Sequence, residues 1–125
     1  MISIVIPNFN GLTHLEVCYN SLRNQSYKDF TIVLVDNNSK DDSVKFTEKN
    51  YPEVKILKLN TNTGFSVAVN EGIKYSMEIL KSDFILLLNN DTECKTDFLA
   101  EMLNGFKDVN TGSVACKMIN FYDRN

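Results

Sequence analysis

The most regular feature of the chain is a series of largely apolar runs, each of which ends abruptly in polar residues. Residues 84–88 are all apolar and lead directly into Asn89, Asn90 and Asp91, and residues 30–35, apolar except for Thr31, lead into Asp36. Uninterrupted apolar runs of this length are typical of strands that are buried on both faces, as in parallel sheets covered by helices. A β-branched run at 2–6 is expected to end at Pro7, which cannot donate to a ladder.

The segments between these runs carry apolar residues at helical spacing. The apolar stripes are Leu15/Cys18/Tyr19/Leu22, Val69/Ile73/Met77/Leu80 and, after Asp97, Phe98/Leu99/Met102/Leu103/Phe106. Capping boxes are expected at Thr13–Glu16 and at Ser39–Asp42, where Thr or Ser precedes an acid by three residues, and the second opens a helix over about 41–50.

Two further strands are predicted, one at 54–59 near a sheet edge because of its two lysines and one at 114–119. The resulting alternation of strand and helix predicts an α/β fold with a mostly parallel sheet and helices on both faces. In such sheets ligands bind at the carboxyl ends of the strands. Asp36 and Asp91 are therefore expected at the functional edge.

Composition narrows the class of protein. The 125 residues suit one domain, and a net charge of -3 without a basic cluster predicts no nucleic-acid partner. No apolar run approaches the roughly 20 residues that span a bilayer, and Met1 leads directly into a strand, so a soluble chain without a signal peptide is expected. Three scattered cysteines, Cys18, Cys94 and Cys116, are expected to be reduced thiols.

Two features have a structural alternative to a functional role. Asn89, Asn90 and Asp91 form either a ligand site for a metal ion or a sugar hydroxyl, or simply a turn, which Asn and Asp favour. Gly72 lies inside a predicted helix, where close packing on the sheet explains it better than a ligand contact. The sequence contains no G-x-G-x-x-G fingerprint, which argues against a nicotinamide cofactor.

Four blocks of the chain resemble the successive signatures of family 2 glycosyltransferases of the GT-A fold, especially the rhamnosyltransferase-like subgroup. They occur in the family's order and cover nearly all of the chain, at residues 3–10, 35–41, 62–65 with Asn70, and 88–91. The resemblance implies an inverting transferase that uses a UDP- or dTDP-sugar donor and a divalent metal, Mg²⁺ or Mn²⁺. The expected acceptor is a saccharide or a lipid-linked molecule in cell-surface polysaccharide synthesis.

The resemblance also implies individual roles. Asp36 accepts a hydrogen bond from the nucleobase, and Asp91 is the metal ligand, because Asn stands at the first acid of the family's Asp-any-Asp motif. The implied nucleotide-sugar-binding residues are Pro7, Asn8, Phe9, Asn10, Asp36, Asn38, Asn62, Gly64, Asn70, Asn89 and Asn90.

No residue of this chain matches the family's catalytic base, which is expected beyond Asn125 together with the acceptor half. Residues 1–125 are thus expected to be the nucleotide-sugar-binding part of a longer enzyme. The expected location is the cytoplasm, including the inner face of the membrane, and any membrane association would come through the missing remainder. One alternative is a non-catalytic sugar-nucleotide-binding module. A phosphoacceptor receiver domain is a weaker alternative, because Pro7 and Asn8 stand where its first strand should end in an acidic pair.

Overall fold

The computed structural model describes residues 1–120 and residue 122. Strands and helices alternate along them. Their bounds in chain order are β1 Ile2–Asn8, α1 Leu12–Arg23, β2 Phe30–Asp36, α2 Ser43–Asn50, β3 Lys55–Lys58, α3 Phe65–Glu78, β4 Phe84–Leu87 and α4 Phe98–Asn104. Among these described residues, no helix is both long and apolar enough to cross a bilayer.

The sheet has the strand order β3-β2-β1-β4, and every neighbouring pair is parallel. Asn8 pairs with Asp36 in register, so β1 and β2 end side by side. The chain order reverses between β1 and β4, which makes the crevice between these two strand ends the position where open α/β sheets bind ligands. The predicted parallel α/β fold is confirmed, and β3 lies at an edge as expected.

Alternate side chains of the strands enter two separate cores. Ile2, Ile4 and Ile6 of β1 pack with apolar residues of α1, α2 and α4 on one face. Val5 of β1, together with Val33 and Val35 of β2, packs against α3 on the other face. Because both faces are covered, β1 and β2 are buried along most of their length, which explains their largely apolar runs. The prediction that 84–88 is buried on both faces was wrong for β4, which lies at the edge of the described sheet and leaves Leu87 49% exposed.

Helix α3 lies very close to the sheet because its buried residues are small. They are Ala68, Val69, Gly72 and Ser76. A Cβ atom on Gly72 would lie 2.3 Å from Cγ1 of Val5 and 2.9 Å from Cγ2 of Val35, so the close-packing explanation of this glycine is confirmed. The predicted stripe through Met77 was wrong, since that side chain is 58% exposed. The short side chains, rather than the large apolar ones, face the sheet.

Both predicted capping boxes were wrong, because one carboxylate, that of Asp41, accepts from the first turn of both helices. Helices α1 and α2 begin after Gly11 and Asp42, and neither of these residues caps its helix with its side chain. Instead the Asp41 carboxylate accepts hydrogen bonds from the backbone N–H of Leu12 at 3.0 Å and of Ser43 at 3.1 Å. The helix predicted over 41–50 therefore begins two residues later.

Strand β1 continues two residues past Ile6, although Pro7 was predicted to end it. In a parallel strand the backbone groups of alternate residues face opposite neighbours. The Asn8 carbonyl accepts from Asn37 on the β2 side, whereas the Val5 carbonyl accepts from Leu88 on the β4 side. Pro7 thus faces β4, which has already ended at Leu87. The missing N–H of Pro7 leaves no ladder bond unmade.

The strand predicted at 114–119 is absent from the part of the chain that the structure describes. Met118 and Ile119 are 77% and 49% exposed, and no described residue pairs with β4 on the side away from β1. A Cβ atom on Gly105 would lie 2.7 Å from the side chain of Val114, so this valine contacts the end of α4. Apolar character alone did not create a strand without a pairing partner.

Candidate functional site

A buried polar pair lies where β1 and β2 end. Asn8 and Asp36 are 2% and 4% exposed. The Asn8 amide group donates to Oδ1 of Asp36 at 2.9 Å, to Oγ of Ser39 at 3.2 Å and to Oγ of Ser43 at 3.0 Å. An ionised carboxylate only accepts, so the Asn8 amide must direct its NH₂ group toward Asp36 and its oxygen away from it.

Asp36 is held in place from the loop that follows β2. Its Oδ1 also accepts from the Ser39 hydroxyl at 2.6 Å, and its Oδ2 accepts from the Ser39 backbone N–H at 3.0 Å. A carboxylate offers about four lone-pair positions, and these bonds together with the one from Asn8 occupy three of them. One acceptor position, on Oδ2, therefore has no donor among the described residues.

The turn after β4 is fastened to this pair. Asn90 donates from Nδ2 to Oδ1 of Asn8 at 3.0 Å, across the crevice between β4 and β1. The Thr92 hydroxyl donates to the Asn89 carbonyl at 2.8 Å. Residues 90 and 91 form a turn, as one alternative predicted, but the side chains of Asn89 and Asp91 are exposed at the strand edge where a ligand would bind. The turn and the ligand site are compatible.

Asn37 organises a second wall of the site. Its Nδ2 donates to Oδ1 of Asn62 at 2.9 Å and to the Gly64 carbonyl at 3.1 Å, and its Oδ1 accepts from the Thr63 N–H at 2.8 Å. Gly64 has φ 82°, a conformation that favours glycine. Asn37 was not among the predicted site residues. The available signal was its place directly after the acidic end of a buried strand.

The loops after β1 and β2 each contain an asparagine with positive φ, Asn10 at 51° and Asn38 at 64°, and Asn10 joins the two loops. Asn10 donates its backbone N–H to Oγ of Ser39 at 2.9 Å, and its Oδ1 accepts from the Lys40 N–H at 2.7 Å. Asn38 accepts from Nζ of Lys40 at 3.1 Å. Asn tolerates this backbone conformation better than most residues, and such positions cluster at functional sites.

An open pocket of about 320 Å³ lies between these loops, and five of its seven lining residues are ones the sequence had indicated. The lining residues are Pro7, Asn8, Phe9, Asn37, Asn62, Gly64 and Phe65. Phe9 and Phe65 are 49% and 62% exposed, so two aromatic rings at this pocket are open to a ligand. Asn70 is exposed in the second turn of α3 and does not line the pocket, and the buried Asp36 lies behind Asn8 rather than among the lining residues.

Asp91 supplies the only carboxylate of the turn after β4. Within the described residues, no three His, Cys, Asp or Glu side chains lie close enough to hold a metal ion among themselves. Mg²⁺, however, is commonly held by one or two carboxylates while substrate phosphates and water complete its shell. The exposed Asp91 carboxylate, next to the Asn89 and Asn90 carboxamides, fits that second kind of site.

Ionisation further stabilises the loop network. Burial opposes ionisation of Asp41, but hydrogen bonds from Ser43 and from the Leu12 backbone outweigh this effect and lower the pKa of its carboxyl.

The two cysteines near the core are not activated. Burial raises the pKa of the Cys18 thiol to about 12 and that of Cys94 to about 11. Both cysteines are therefore neutral near pH 7 and act as packing residues rather than nucleophiles.

Residues 3–125 match the family model described as "Glycosyl transferase family 2". The chain belongs to this family. The resemblance that the sequence motifs carried is thereby confirmed over almost the whole chain. The family 2 chain is 24% identical, over 102 residues, to the GalNAc(5)-diNAcBac-PP-undecaprenol beta-1,3-glucosyltransferase of Campylobacter jejuni, covering 82% of this chain and 33% of that protein.

Two solved structures share the fold. S. aureus TarS 1-349 in complex with UDP superposes with a TM-score of 0.71 at 22% identity, covering 84% of this chain and 31% of that one. The mannosyltransferase PcManGT from Pyrobaculum calidifontis, in complex with GDP-Man and Mn²⁺, gives 0.79 at 18% identity, covering 93% and 35%. The expected GT-A fold is confirmed. The family 2 chain spans about a third of the length of these relatives.

Proposed function

We propose that this chain is the nucleotide-sugar-binding part of an inverting glycosyltransferase, whose donor is a UDP- or dTDP-sugar. The observation that carries the proposal is the convergence, at one strand edge, of the Asp36 carboxylate, a pocket with two exposed aromatic rings and the turn that bears Asp91. This edge is the topological switch point between β1 and β4.

The pocket accounts for recognition of the nucleoside. The free acceptor position on Asp36 suits the ring N–H of uracil or thymine, because an ionised carboxylate can only accept. The exposed rings of Phe9 and Phe65 offer apolar faces against which a planar base can stack. Asn37 contributes by holding Asn62 and Gly64 in place. The UDP complex of S. aureus TarS 1-349, which shares this fold, supports a uridine nucleotide as ligand.

The diphosphate is proposed to extend toward Asp91. A divalent cation held there would neutralise charge on the diphosphate leaving group. The exposed Lys40 ammonium, on the loop after β2, adds positive charge at the same edge. The Mn²⁺ in the complex of the mannosyltransferase supports a divalent ion at this site. The oxygen donor of Asp91 suits both Mg²⁺ and Mn²⁺.

Transfer with inversion needs a general base that takes the proton from the acceptor hydroxyl. We assign that base, and the acceptor site, to residues beyond Asn125. A lipid-linked saccharide is the proposed acceptor, which the undecaprenol-linked substrate in the name of the Campylobacter relative supports. Synthesis of a cell-surface polysaccharide in the cytoplasm, at the inner face of the membrane, remains the proposed role.

A non-catalytic nucleotide-sugar-binding module is the second candidate, because the chain spans only about a third of its relatives. Calorimetric titration of the 125-residue chain with UDP, dTDP and GDP, each with and without Mn²⁺, tests the binding that both candidates share. We expect UDP or dTDP to bind more tightly than GDP and Mn²⁺ to strengthen binding. Absence of binding for all three nucleotides would contradict both candidates.

Transfer distinguishes the two candidates. We expect the 125-residue chain to bind donor nucleotide but not to transfer sugar, and the longer protein to transfer it. If the longer protein binds a UDP-sugar and consumes none of it with saccharide or lipid-linked acceptors, the module is the better description. Sustained transfer by the 125-residue chain alone would contradict the assignment of the base beyond Asn125.

A further inference from the structure

Asn90 uses its side chain differently from its two neighbours in the turn. Asn89 and Asp91 are exposed, whereas Asn90 is half-buried and donates from Nδ2 to Oδ1 of Asn8 at 3.0 Å. These two asparagines are 82 positions apart in the chain, and their bond joins the end of β1 to the turn after β4. The middle residue of the turn therefore faces the protein rather than a ligand.

Asn8 cannot reverse its amide to suit a different partner. Its NH₂ group has acceptors on Asp36, Ser39 and Ser43, all within 3.2 Å. A reversed amide would bring its oxygen against the Asp36 carboxylate, where two acceptors would meet without a proton between them. Asn8 thus offers only an acceptor to position 90, so the side chain at position 90 must be a donor.

Gly11 makes room for this bond. A Cβ atom at position 11 would lie 2.1 Å from Nδ2 of Asn90 and 2.3 Å from Oδ1 of Asn8, the two atoms that form it. Gly11 has φ -97°, which alanine also adopts, so the need for glycine here is purely steric. Any side chain at position 11 would push Asn8 and Asn90 apart.

We propose that Asn90 is a positioning residue whose bond to Asn8, permitted by Gly11, fixes the turn bearing Asp91 relative to the Asp36 carboxylate. This inference rests on the proposed function, in which Asp36 holds the base and Asp91 serves the diphosphate end. Asn8 contacts both halves, through its NH₂ group on Asp36 and through its oxygen on Asn90. An acid at position 90, despite adding a carboxylate next to Asp91, weakens the site.

Two isosteric substitutions at adjacent positions test this inference. Calorimetry measures how strongly Mn²⁺ enhances UDP affinity, and an NMR titration measures the affinity for uridine, which lacks phosphate. We expect Asn90→Asp to reduce the enhancement at least about five-fold, the lower end of typical coupling between sites, with uridine affinity unchanged. Asn89→Asp, which adds the same charge at an exposed position, is expected to increase the enhancement.

Gly11→Ala is expected to reduce the Mn²⁺ enhancement of UDP affinity as Asn90→Asp does. Gly112→Ala, whose Cβ would meet no atom within 4 Å, serves as its matched control. If Asn90→Asp does not fold, Asn90→Ala takes its place, with the same expected loss. Manganese enhancement in Asn90→Asp equal to or above that of the wild type would overturn the inference, as would loss of uridine affinity. Wild-type protein that binds no UDP would instead overturn the proposed function.

Discussion

Replacing Asp36 by alanine removes the carboxylate proposed to bind the nucleobase. A hydrogen bond to a charged group contributes about 1.5–3 kcal/mol, so UDP affinity should fall about ten- to hundred-fold. Asn8 keeps its acceptors Ser39 and Ser43 in this variant, which limits the cost to the fold. The Ser39 N–H loses its acceptor, however, which costs about 1–3 kcal/mol if water does not replace it.

The assay is a calorimetric UDP titration of wild type and Asp36→Ala at a temperature where circular dichroism shows both to be folded. Ser39→Ala is the matched control, since it removes the hydroxyl, with its bonds to Asp36, Asn8 and Asn10, but keeps the Asp36 carboxylate and the backbone N–H bond to it. We expect it to retain most of the affinity. An Asp36→Ala protein that is folded and binds UDP as tightly as the wild type would remove Asp36 from the site.

Three further predictions concern the metal, the packing and the helix caps. Asp91→Asn should abolish the Mn²⁺-dependent part of UDP affinity and leave uridine binding intact, whereas equal enhancement by Mn²⁺ in both proteins would defeat the metal assignment. Gly72→Ala should destabilise the fold by about 1–3 kcal/mol in urea denaturation, because the added methyl group overpacks against Val5. Adding Val5→Ala to this variant should restore part of the lost stability. An unaltered urea midpoint in Gly72→Ala would refute the close packing. Asp41→Ala should cost about 1–3 kcal/mol at pH 7, because it uncaps both α1 and α2. Folding lowers the pKa of the Asp41 carboxyl, so this group stabilises the fold fully above the usual pKa of an Asp, and the stabilisation is lost as pH falls through the folded pKa. The difference in unfolding free energy between wild type and Asp41→Ala should therefore shrink at pH 3.

The sheet and its functional edge could be predicted from the sequence because both depend on local patterns. Largely apolar runs that end in polar residues are typical of the strands of a covered parallel sheet, so 30–35 and 84–88 stand out, and the polar residues after them mark the edge where Asp36 and Asp91 lie. Reliance on local patterns also explains why the strand prediction at 114–119 was wrong. A short apolar run resembles a strand whether or not a pairing partner exists, and here the described residues provide none.

The remaining features depend on contacts between distant parts of the chain. The cap of α1 comes from Asp41, 29 positions after Leu12. The local sequence pattern indicated Thr13 instead. The bond between Asn8 and Asn90 spans 82 positions, and no local pattern shows that Asn90 faces inward while Asn89 faces solvent. Gly72 was interpretable because a glycine inside a helix is itself a local anomaly.

The most direct test of the account is to map where UDP binds on the 14.3 kDa chain by ¹H–¹⁵N NMR, with Mg²⁺ present so that signals are not broadened. We expect the largest shift changes at the amides of Asn8, Phe9, Asn37 and Gly64, which surround the pocket, with Asp91 responding only when both UDP and Mg²⁺ are added. A second groove, of about 400 Å³ between β3 and α3, provides an internal comparison, because Lys74 and Ile79 line it and no proposed site residue does. Shift changes concentrated at Lys74 and Ile79, with the strand-end amides unmoved, would contradict the central claim.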